Sequence, residues 1–179
     1  MNKRQLRQEI RERLKAMGIA DKKSASERVA SNLLSLGLEA RSVCIYNALD
    51  SEVATCDLIK HFVGKAAVYL PVVRGEDMLL VKVDENTRYE IGDYGISEPK
   101  GRELSPEQVD IDLCVTPMLA GDRRLNRLGK GKGYYDRFFD KSDCIKVGLC
   151  FDCQMVDEII AEPWDKKMNY IVTDKEIVK

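Results

Sequence analysis

A glycine-rich run in the second half of the chain combines residue types that bind phosphate. It covers residues 127–137 and reads RLGKGKGYYDR. Glycines at alternate positions let the backbone adopt φ > 0 and bring its N–H groups close to a ligand, and Lys130 and Lys132 add full positive charge. Asp136 follows as an oxygen donor of the kind that holds Mg²⁺ on nucleotide phosphates. The run therefore predicts a site for a polyphosphate with a divalent metal.

Two other interpretations fit a glycine loop that carries lysines: a flexible surface turn, and a basic loop that grips nucleic acid. Two tyrosines and two phenylalanines follow between residues 134 and 139. Such an aromatic cluster favours the ordered start of a packed helix over a flexible turn. The sequence contains neither the P-loop pattern nor the Gly-x-Gly-x-x-Gly dinucleotide pattern. Generic nucleotide motifs therefore do not account for the run.

The elements that must position this run begin with helices. Apolar residues from Leu6 to Met17 recur at helical spacing and predict an amphipathic helix that stops at Gly18. Ser24 and Glu27 have the spacing of a capping box and predict the start of a second helix. A third helix is expected between Thr55 and Val63.

After the second helix the hydrophobic period changes to that of strands. Short apolar runs bounded by Pro, Gly and Asp predict strands at 43–46, 67–70, 78–83, 111–115, 146–150 and 170–172. The short gap between the second and third runs favours an antiparallel pair, whereas strand–helix–strand order favours parallel strands. We expect an α/β fold in which residues 1–179 form a single three-layer α/β/α domain with a mixed, mostly parallel sheet.

Composition favours one compact cytoplasmic domain. A chain of 179 residues can bury roughly 70% of its unfolded surface. Its 29 basic and 30 acidic residues give a formal net charge of −1, so we expect no nucleic-acid or membrane partner, and any anion site must be local. The sequence shows neither an apolar run of about 20 residues nor the apolar segment of a signal peptide. We expect a monomer in the cytoplasm.

The cysteines indicate a reduced core. Most of the six, such as Cys44 and Cys114, lie in apolar, strand-like settings where a free thiol acts as a small hydrophobe. Cys150 and Cys153 have redox or metal spacing, but no second cysteine pair or nearby histidine completes a zinc set. His61 is expected to be an ordinary helix residue.

Polar side chains in two other places are candidates for ligand binding. Asn47 and Glu52 follow the first predicted strand, and ligands of α/β sheets bind beyond such strand ends. An ordinary turn rich in Asn, Asp and Ser is the alternative. Lys3, Arg4 and Arg7 cluster on the first turns of a helix, where the macrodipole disfavours cations. These side chains either reach an anion or form a solvated basic face.

The chain resembles the 5-formyltetrahydrofolate cyclo-ligase family, also called methenyltetrahydrofolate synthetases. The family carries the run Arg-Leu-Gly-x-Gly-x-Gly-Tyr-Tyr-Asp-Arg, which residues 127–137 match. Weaker matches cover residues 3–7, 46–55, 70–71, 95–99, 116–117 and 151–174. The resemblance implies an enzyme that closes 5-formyltetrahydrofolate to 5,10-methenyltetrahydrofolate. It also implies ATP as co-substrate, Mg²⁺ as cofactor, release of ADP and phosphate, and a phosphorylated formyl (iminophosphate) intermediate.

The resemblance also implies residue roles. ATP would be bound by Lys3, Arg4, Arg7, Arg127, Leu128, Gly129, Lys130, Gly131, Lys132, Gly133, Tyr134 and Tyr135. The folate substrate would be bound by Asn47, Glu52, Lys130, Gly131, Lys132, Gly133 and Tyr134. Lys132, Arg127 and Tyr134 are expected to act in catalysis, and Asp136 and Asp165 to hold Mg²⁺. The segment 95–99 is expected to line the substrate cleft.

Three further positions bear on the pocket. Trp164 stands where the family usually has His or another polar residue, which puts the polarity of the pocket in question. Tyr89 and Tyr94 have side chains able to stack on a pterin, but surface tyrosines are commoner than stacking ones, so neither is assigned to the site.

Two functions from other classes stay open. A nucleic-acid-binding module would use the arginines, lysines and tyrosines between residues 123 and 135 as a basic stacking loop. The neutral net charge and the acidic Asp122 and Asp136 argue against it. A relative that binds folate or nucleotide without turnover is the other alternative, and Trp164 is its one indication.

Overall fold

The computed structural model describes residues 1–92 and 95–179, so Tyr94 lies outside the described residues. The described part contains four α-helices, α1 (Lys3–Ala16), α2 (Ile19–Ser35), α3 (Cys56–Val63) and α4 (Tyr134–Lys141), with short 3-10 helices at Pro106–Gln108 and Asp152–Gln154. None of these helices combines the length and the apolar character needed to cross a membrane.

Thirteen short strands complete the described part. They are β1 (Ser42–Ile45), β2 (Ala67–Arg74), β3 (Asp77–Val83), β4 (Tyr89–Ile91), β5 (Ser97–Pro99), β6 (Glu103–Leu104), β7 (Leu113–Pro117), β8 (Ala120–Asp122), β9 (Arg127–Leu128), β10 (Ile145–Leu149), β11 (Met155–Val156), β12 (Tyr170–Val172) and β13 (Ile177–Val178). Eight of them form the main sheet, in the order β13-β12-β10-β7-β1-β2-β3-β6. The five strands from β12 to β2 run parallel, and the outer strands are antiparallel.

The helices cover both faces of this sheet. Alternate strand residues such as Val43 and Ile45 pack in the same core as Leu6 and Ile10 of α1 and residues of α2 and α3. Cys44, which points to the opposite face, packs in a second core that includes aromatic residues of α4. The predicted three-layer α/β/α fold with a mixed, mostly parallel sheet is confirmed.

The predicted start of the second helix was wrong. α1 already ends at Ala16, and Gly18 is the N-cap of α2. Residues 19–23 contain neither Gly nor Pro, and Asp21 lies in the first turn, where the helix dipole favours a carboxylate. The helix therefore forms from Ile19, and Ser24, the predicted cap, lies inside it.

Strand β2 runs further than predicted and carries Pro71 in its interior. Its registered pairs with β1 end at Tyr69, whereas its antiparallel pairs with β3 continue to Arg74. Proline is tolerated in such an edge-like stretch because fewer ladder bonds need its missing N–H. The short gap before β3 correctly predicted an antiparallel hairpin.

All six cysteines are free thiols, and Cys44, Cys114, Cys144 and Cys150 are buried. Burial raises the pKa of the Cys150 thiol, which keeps it protonated at neutral pH. A protonated, buried thiol is a poor nucleophile and acts as a small apolar core residue.

The order of the parallel strands creates a crevice. From β1 the chain winds outward to β2 on one side, and from β7 to β10 and β12 on the other. Ligands of open α/β sheets bind beyond the carboxyl ends of the strands at such a switch point. A ligand site is therefore expected beyond the ends of β1 and β7, at Ile45 and Pro117.

At the opposite edge, Asp112 holds the start of β1. Its Oδ2 accepts hydrogen bonds from the N–H groups of Arg41 (2.7 Å) and Ser42 (3.2 Å). The Arg41 N–H, opposed by partial burial and assisted by the Ser42 N–H, holds the pKa of Asp112 below its ordinary value. The ionised carboxylate therefore stabilises the fold above the unfolded-state pKa of about 3.9, and this stabilisation is lost as the pH falls through the lower, folded-state pKa.

We expect Asp112→Asn to lower the free energy of unfolding at neutral pH, because the amide accepts these hydrogen bonds without a negative charge. The difference from the wild type should shrink below about pH 4, where the carboxyl begins to protonate. Urea unfolding of both proteins at several pH values between neutral and acid measures this difference in the free energy of unfolding. A difference that does not change with pH would contradict the assignment.

Candidate active site

A cavity of about 420 Å³ opens at the carboxyl ends of β1 and β7. Its walls come from helix α1, the segments after β1 and β7, the β2–β3 hairpin, the glycine-rich run and the segment around residue 165. The lining residues are Lys3, Arg7, Tyr46, Asn47, Leu49, Glu52, Pro71, Val73, Met78, Ile96, Pro117, Met118, residues 127–136 and Asp165. The cavity therefore brings together every predicted site residue except Arg4, which is exposed and does not line it.

The three glycines of the run serve different purposes. Gly131 (φ 99°) and Gly133 (φ 69°) have the left-handed backbone that glycine favours, and Gly133 is the N-cap of α4. Gly129 does not have a positive φ, but a Cβ there would lie 3.0 Å from Nη1 of Arg127. Arg7 closes over the loop, since its Nε donates to the Gly129 carbonyl at 2.9 Å. The run is an ordered loop rather than a flexible turn.

Helix α4 fixes the far end of the loop. Phe138 and Phe139 are buried beneath it, as expected from the aromatic cluster. Arg137, which was assigned no role from the sequence, donates to the carbonyls of Lys132 (3.0 Å) and Glu76 (2.7 Å). Its guanidinium also lies 5.2 Å from the ring centre of Tyr134. Arg137 therefore ties the glycine loop to the β2–β3 turn.

Arg127 is the buried cation of the cavity, with only 4% of its side chain exposed. Its Nη2 lies 3.2 Å from Oδ1 of Asp136, and its guanidinium stacks 5.4 Å from the ring centre of Tyr135. Its Nε is buried and has no hydrogen-bond partner among the described residues. An unpaired buried donor costs about 1–3 kcal/mol, so this atom is suited to meet an anionic ligand.

The two carboxylates predicted to hold metal line the same cavity, and each is held by a cation. Asp136 pairs with Arg127, and Oδ2 of Asp165 lies 2.5 Å from Nζ of Lys3. Burial by itself would lower the pKa of Lys3, but hydrogen bonds to Asp165 and Glu162 outweigh it and raise that pKa. In residues 1–92 and 95–179, no cluster of three or more His, Cys, Asp or Glu side chains is arranged to bind a metal.

Trp164 does not line the cavity. The residue is 62% exposed and lies in the turn closed by the hydrogen bond from the Asp165 N–H to the Glu162 carbonyl (3.0 Å). The polarity of the cavity is therefore set by other residues. Trp164 does not change the polarity of the pocket, although its position next to Asp165 in the sequence suggested that it could.

The segment after β1 forms the opposite wall. Asn47 donates from Nδ2 to the Ser97 carbonyl at 2.8 Å, which brings the 95–99 segment to the cavity, where Ile96 lines it. Glu52 accepts from the Leu49 N–H at 2.9 Å through Oε2 and pairs with Nζ of Lys130 at 2.6 Å through Oε1. This wall is ordered by its own hydrogen bonds and presents a carboxylate to the glycine loop.

Asp122, for which we predicted no role in the site, anchors the chain just before the glycine run. The carboxylate is fully buried and accepts four hydrogen bonds. They come from the N–H groups of Arg124, Asn126 and Ile159 and from the side-chain amide of Asn126, at 2.8–3.0 Å. The turn-like sequence DRRLN gave a signal for a loop but none for this contact with residue 159.

Replacing Asp122 by Ala should lower the free energy of unfolding by about 3 kcal/mol, because it leaves buried N–H groups without their charged acceptor. Urea unfolding measures the change. Asp157, which is exposed, supplies the matched control, and Asp157→Ala should change stability by less than about 0.5 kcal/mol. Equal effects of the two changes would contradict the anchoring role.

A cavity at the switch point of an α/β sheet, edged by a cationic glycine loop and two carboxylates, defines an α/β protein whose ligand cavity has the charge and backbone geometry suited to a polyanion. The chain can be assigned more closely than that. Residues 1–174 match the 5-formyltetrahydrofolate cyclo-ligase family, and the chain belongs to this family.

Individual relatives agree with the assignment. A 5-formyltetrahydrofolate cyclo-ligase from Haemophilus influenzae is 31% identical over 176 residues, which cover 91% of this chain and 92% of the relative. The NMR structure of Aquifex aeolicus 5,10-methenyltetrahydrofolate synthetase has a TM-score of 0.88 and 30% identity, and covers 100% of this chain and 93% of that one. A Mycoplasma pneumoniae 5,10-methenyltetrahydrofolate synthetase, with a TM-score of 0.79 and 22% identity over 97% of this chain and 99% of that one, shows the same fold.

Proposed function

We propose that this protein closes 5-formyltetrahydrofolate to 5,10-methenyltetrahydrofolate at the expense of ATP. The formyl oxygen attacks the γ-phosphorus, which forms an O–P bond, releases ADP and leaves an iminophosphate. N10 then attacks the activated formyl carbon and forms a C–N bond, N10 releases its proton to solvent, the C–O bond breaks, and the oxygen leaves on inorganic phosphate. In such a reaction the protein contributes mainly by positioning the reactants and stabilising the charge of the transition state.

The observation that carries the proposal is the buried guanidinium of Arg127, whose Nε has no partner among the described residues. Phosphate oxygens would satisfy this donor, and Lys132 and Lys130 would add charge from the glycine loop. The backbone of residues 129–135 would cradle the phosphates. From α1, Lys3 and Arg7 line the cavity and would complete the nucleotide site. Arg4 would contribute only from outside the cavity.

The donor chemistry around the loop fits Mg²⁺. Asp136 and Asp165 would hold the ion through oxygen, in line with the one or two carboxylates that usually bind Mg²⁺ on nucleotides, with phosphate and water as the other ligands. The small number of carboxylates in the cavity agrees with this arrangement. When bound, the ion neutralises charge on the transferring phosphoryl group.

Folate would occupy the rest of the cavity, opposite the glycine loop. Val73, Met78, Ile96 and Met118 give this part apolar walls suited to a flat heterocycle. Glu52 would accept hydrogen bonds from ring N–H groups, and Asn47 would keep the wall in place. Tyr134, whose hydroxyl donates to the Gly75 carbonyl at 2.9 Å, would lie where nucleotide and folate meet.

The nucleic-acid alternative has little support at this loop. Arg123 and Arg124, which a stacking surface would need, pair with Glu176 and Glu158 at 2.8 and 2.5 Å. Arg127 is buried, and its charge is matched by Asp136.

Near-ultraviolet absorbance of purified protein with 5-formyltetrahydrofolate, Mg²⁺ and ATP tests the proposed reaction. We expect methenyltetrahydrofolate to form only when all three are present, together with one inorganic phosphate per turnover. Binding of both ligands without product would contradict the proposal and favour the relative without turnover.

A further inference from the structure

The ion pair between Lys130 and Glu52 joins the two halves of the proposed site. Nζ of Lys130, in the glycine loop, lies 2.6 Å from Oε1 of Glu52, in the wall after β1. The Glu52 side chain is only 9% exposed, and its Oε2 accepts from the Leu49 N–H at 2.9 Å. Both carboxylate oxygens of Glu52 are therefore engaged before any substrate arrives.

The two partners differ in how firmly they are held. The Lys130 side chain is 46% exposed and has a flexible four-carbon stem, so its ammonium can move while the loop backbone stays in place. Glu52, in contrast, is fixed by its own backbone contact with Leu49. A new anion in the loop would therefore move the lysine and leave the carboxylate in place.

We propose that Lys130 is a positioning residue that couples the two ligands: nucleotide phosphates draw its ammonium from Glu52 and free Oε1 to accept a hydrogen bond from the folate ring. This inference rests on the proposed function. Without nucleotide, folate must displace Lys130 from Glu52, and this displacement lowers the affinity of the protein for folate. With nucleotide bound, that displacement has already occurred, so each ligand strengthens the binding of the other by the same factor.

Calorimetric titration of 5-formyltetrahydrofolate into the intact protein, with and without the Mg²⁺ complex of a non-hydrolysable ATP analogue, tests the coupling. We expect wild-type folate affinity to rise about tenfold with the analogue, within the usual range of coupling between sites. Without the analogue, the Lys130→Met protein should bind folate about as tightly as the wild type does with the analogue. Adding the analogue to Lys130→Met should then raise its folate affinity by less than about twofold.

Lys132→Met is the matched control. Lys132 lies two residues along the same loop and forms no ion pair with any residue of the described chain. Its replacement should weaken binding of the analogue and should not raise the folate affinity of the free protein, because the ammonium paired with Glu52 belongs to Lys130. A gain in folate affinity in both variants would trace the effect to loop charge in general and overturn the assignment to Lys130.

Three further results would overturn the coupling. Wild-type protein that binds both ligands with the same affinities alone and together would exclude it while leaving the proposed reaction intact. Lys130→Met with weaker folate binding in both conditions would make Lys130 a direct contact of the folate. Wild-type protein that binds neither ligand would overturn the proposed function and the coupling together.

Discussion

Arg127→Met should lower kcat for ring closure by about a thousandfold. The guanidinium is buried, is stacked on Tyr135 and has an unpaired Nε, so it is preorganised to meet the charge that develops on the transferring phosphoryl group. Preorganised donors in a site shielded from water stabilise such charge far more than exposed ones. Steady-state kinetics with 5-formyltetrahydrofolate and ATP measures the loss.

The control for this prediction is Arg123→Met, which removes the same side chain from an exposed pair with Glu176 and should change kcat by less than about twofold. Loss of Arg127 also leaves Asp136 without its cation, which could unfold the protein. Arg127→Lys keeps a positive charge beside Asp136, so a loss of activity in this variant would report on catalysis rather than on folding. We expect the lysine variant to fold and still lose about a hundredfold, since lysine cannot reproduce the planar, stacked guanidinium. Wild-type kcat in a folded Arg127→Lys protein would contradict the role of Arg127.

Asp136→Asn should raise the Mg²⁺ concentration needed for half-maximal activity about tenfold or more and lower kcat about a hundredfold. Asparagine is nearly the same shape and can still accept from Arg127, but it lacks the charge that attracts the ion. Activity measured over a series of Mg²⁺ concentrations at saturating folate and ATP reports both quantities.

Asp140→Asn is the control, because Asp140 lies on the same helix, is 59% exposed and pairs with Lys166. It should leave the Mg²⁺ dependence unchanged. A lower kcat in Asp136→Asn with wild-type Mg²⁺ dependence would mean that Asp136 serves only as the counter-ion of Arg127.

Much of the fold could be predicted from local patterns. The apolar period from Leu6 to Leu14 is the buried face of α1, and the six short apolar runs correspond to six of the eight strands of the main sheet. The two-residue outer strands β6 and β13 were not predicted, because they are too short to show a hydrophobic pattern. The failed prediction at Ser24 has a local cause as well. A capping box is a weak signal for a helix start when the five residues before it, from Ile19, favour a helix as much as the residues after it do. The run from Arg127 to Arg137 identified the family because the order of its residue types is unusual.

Local sequence patterns were therefore enough to identify most of the elements of the main sheet, the glycine loop with its charges, and the family. Which charges meet depends on the folded chain. Lys3 pairs with Asp165, and Glu52 with Lys130, across long separations in the chain. Asp122 reaches the backbone of Ile159. Hydrophobic period and turn chemistry act over a few residues, whereas these contacts depend on strand order and on how the helices pack across the sheet.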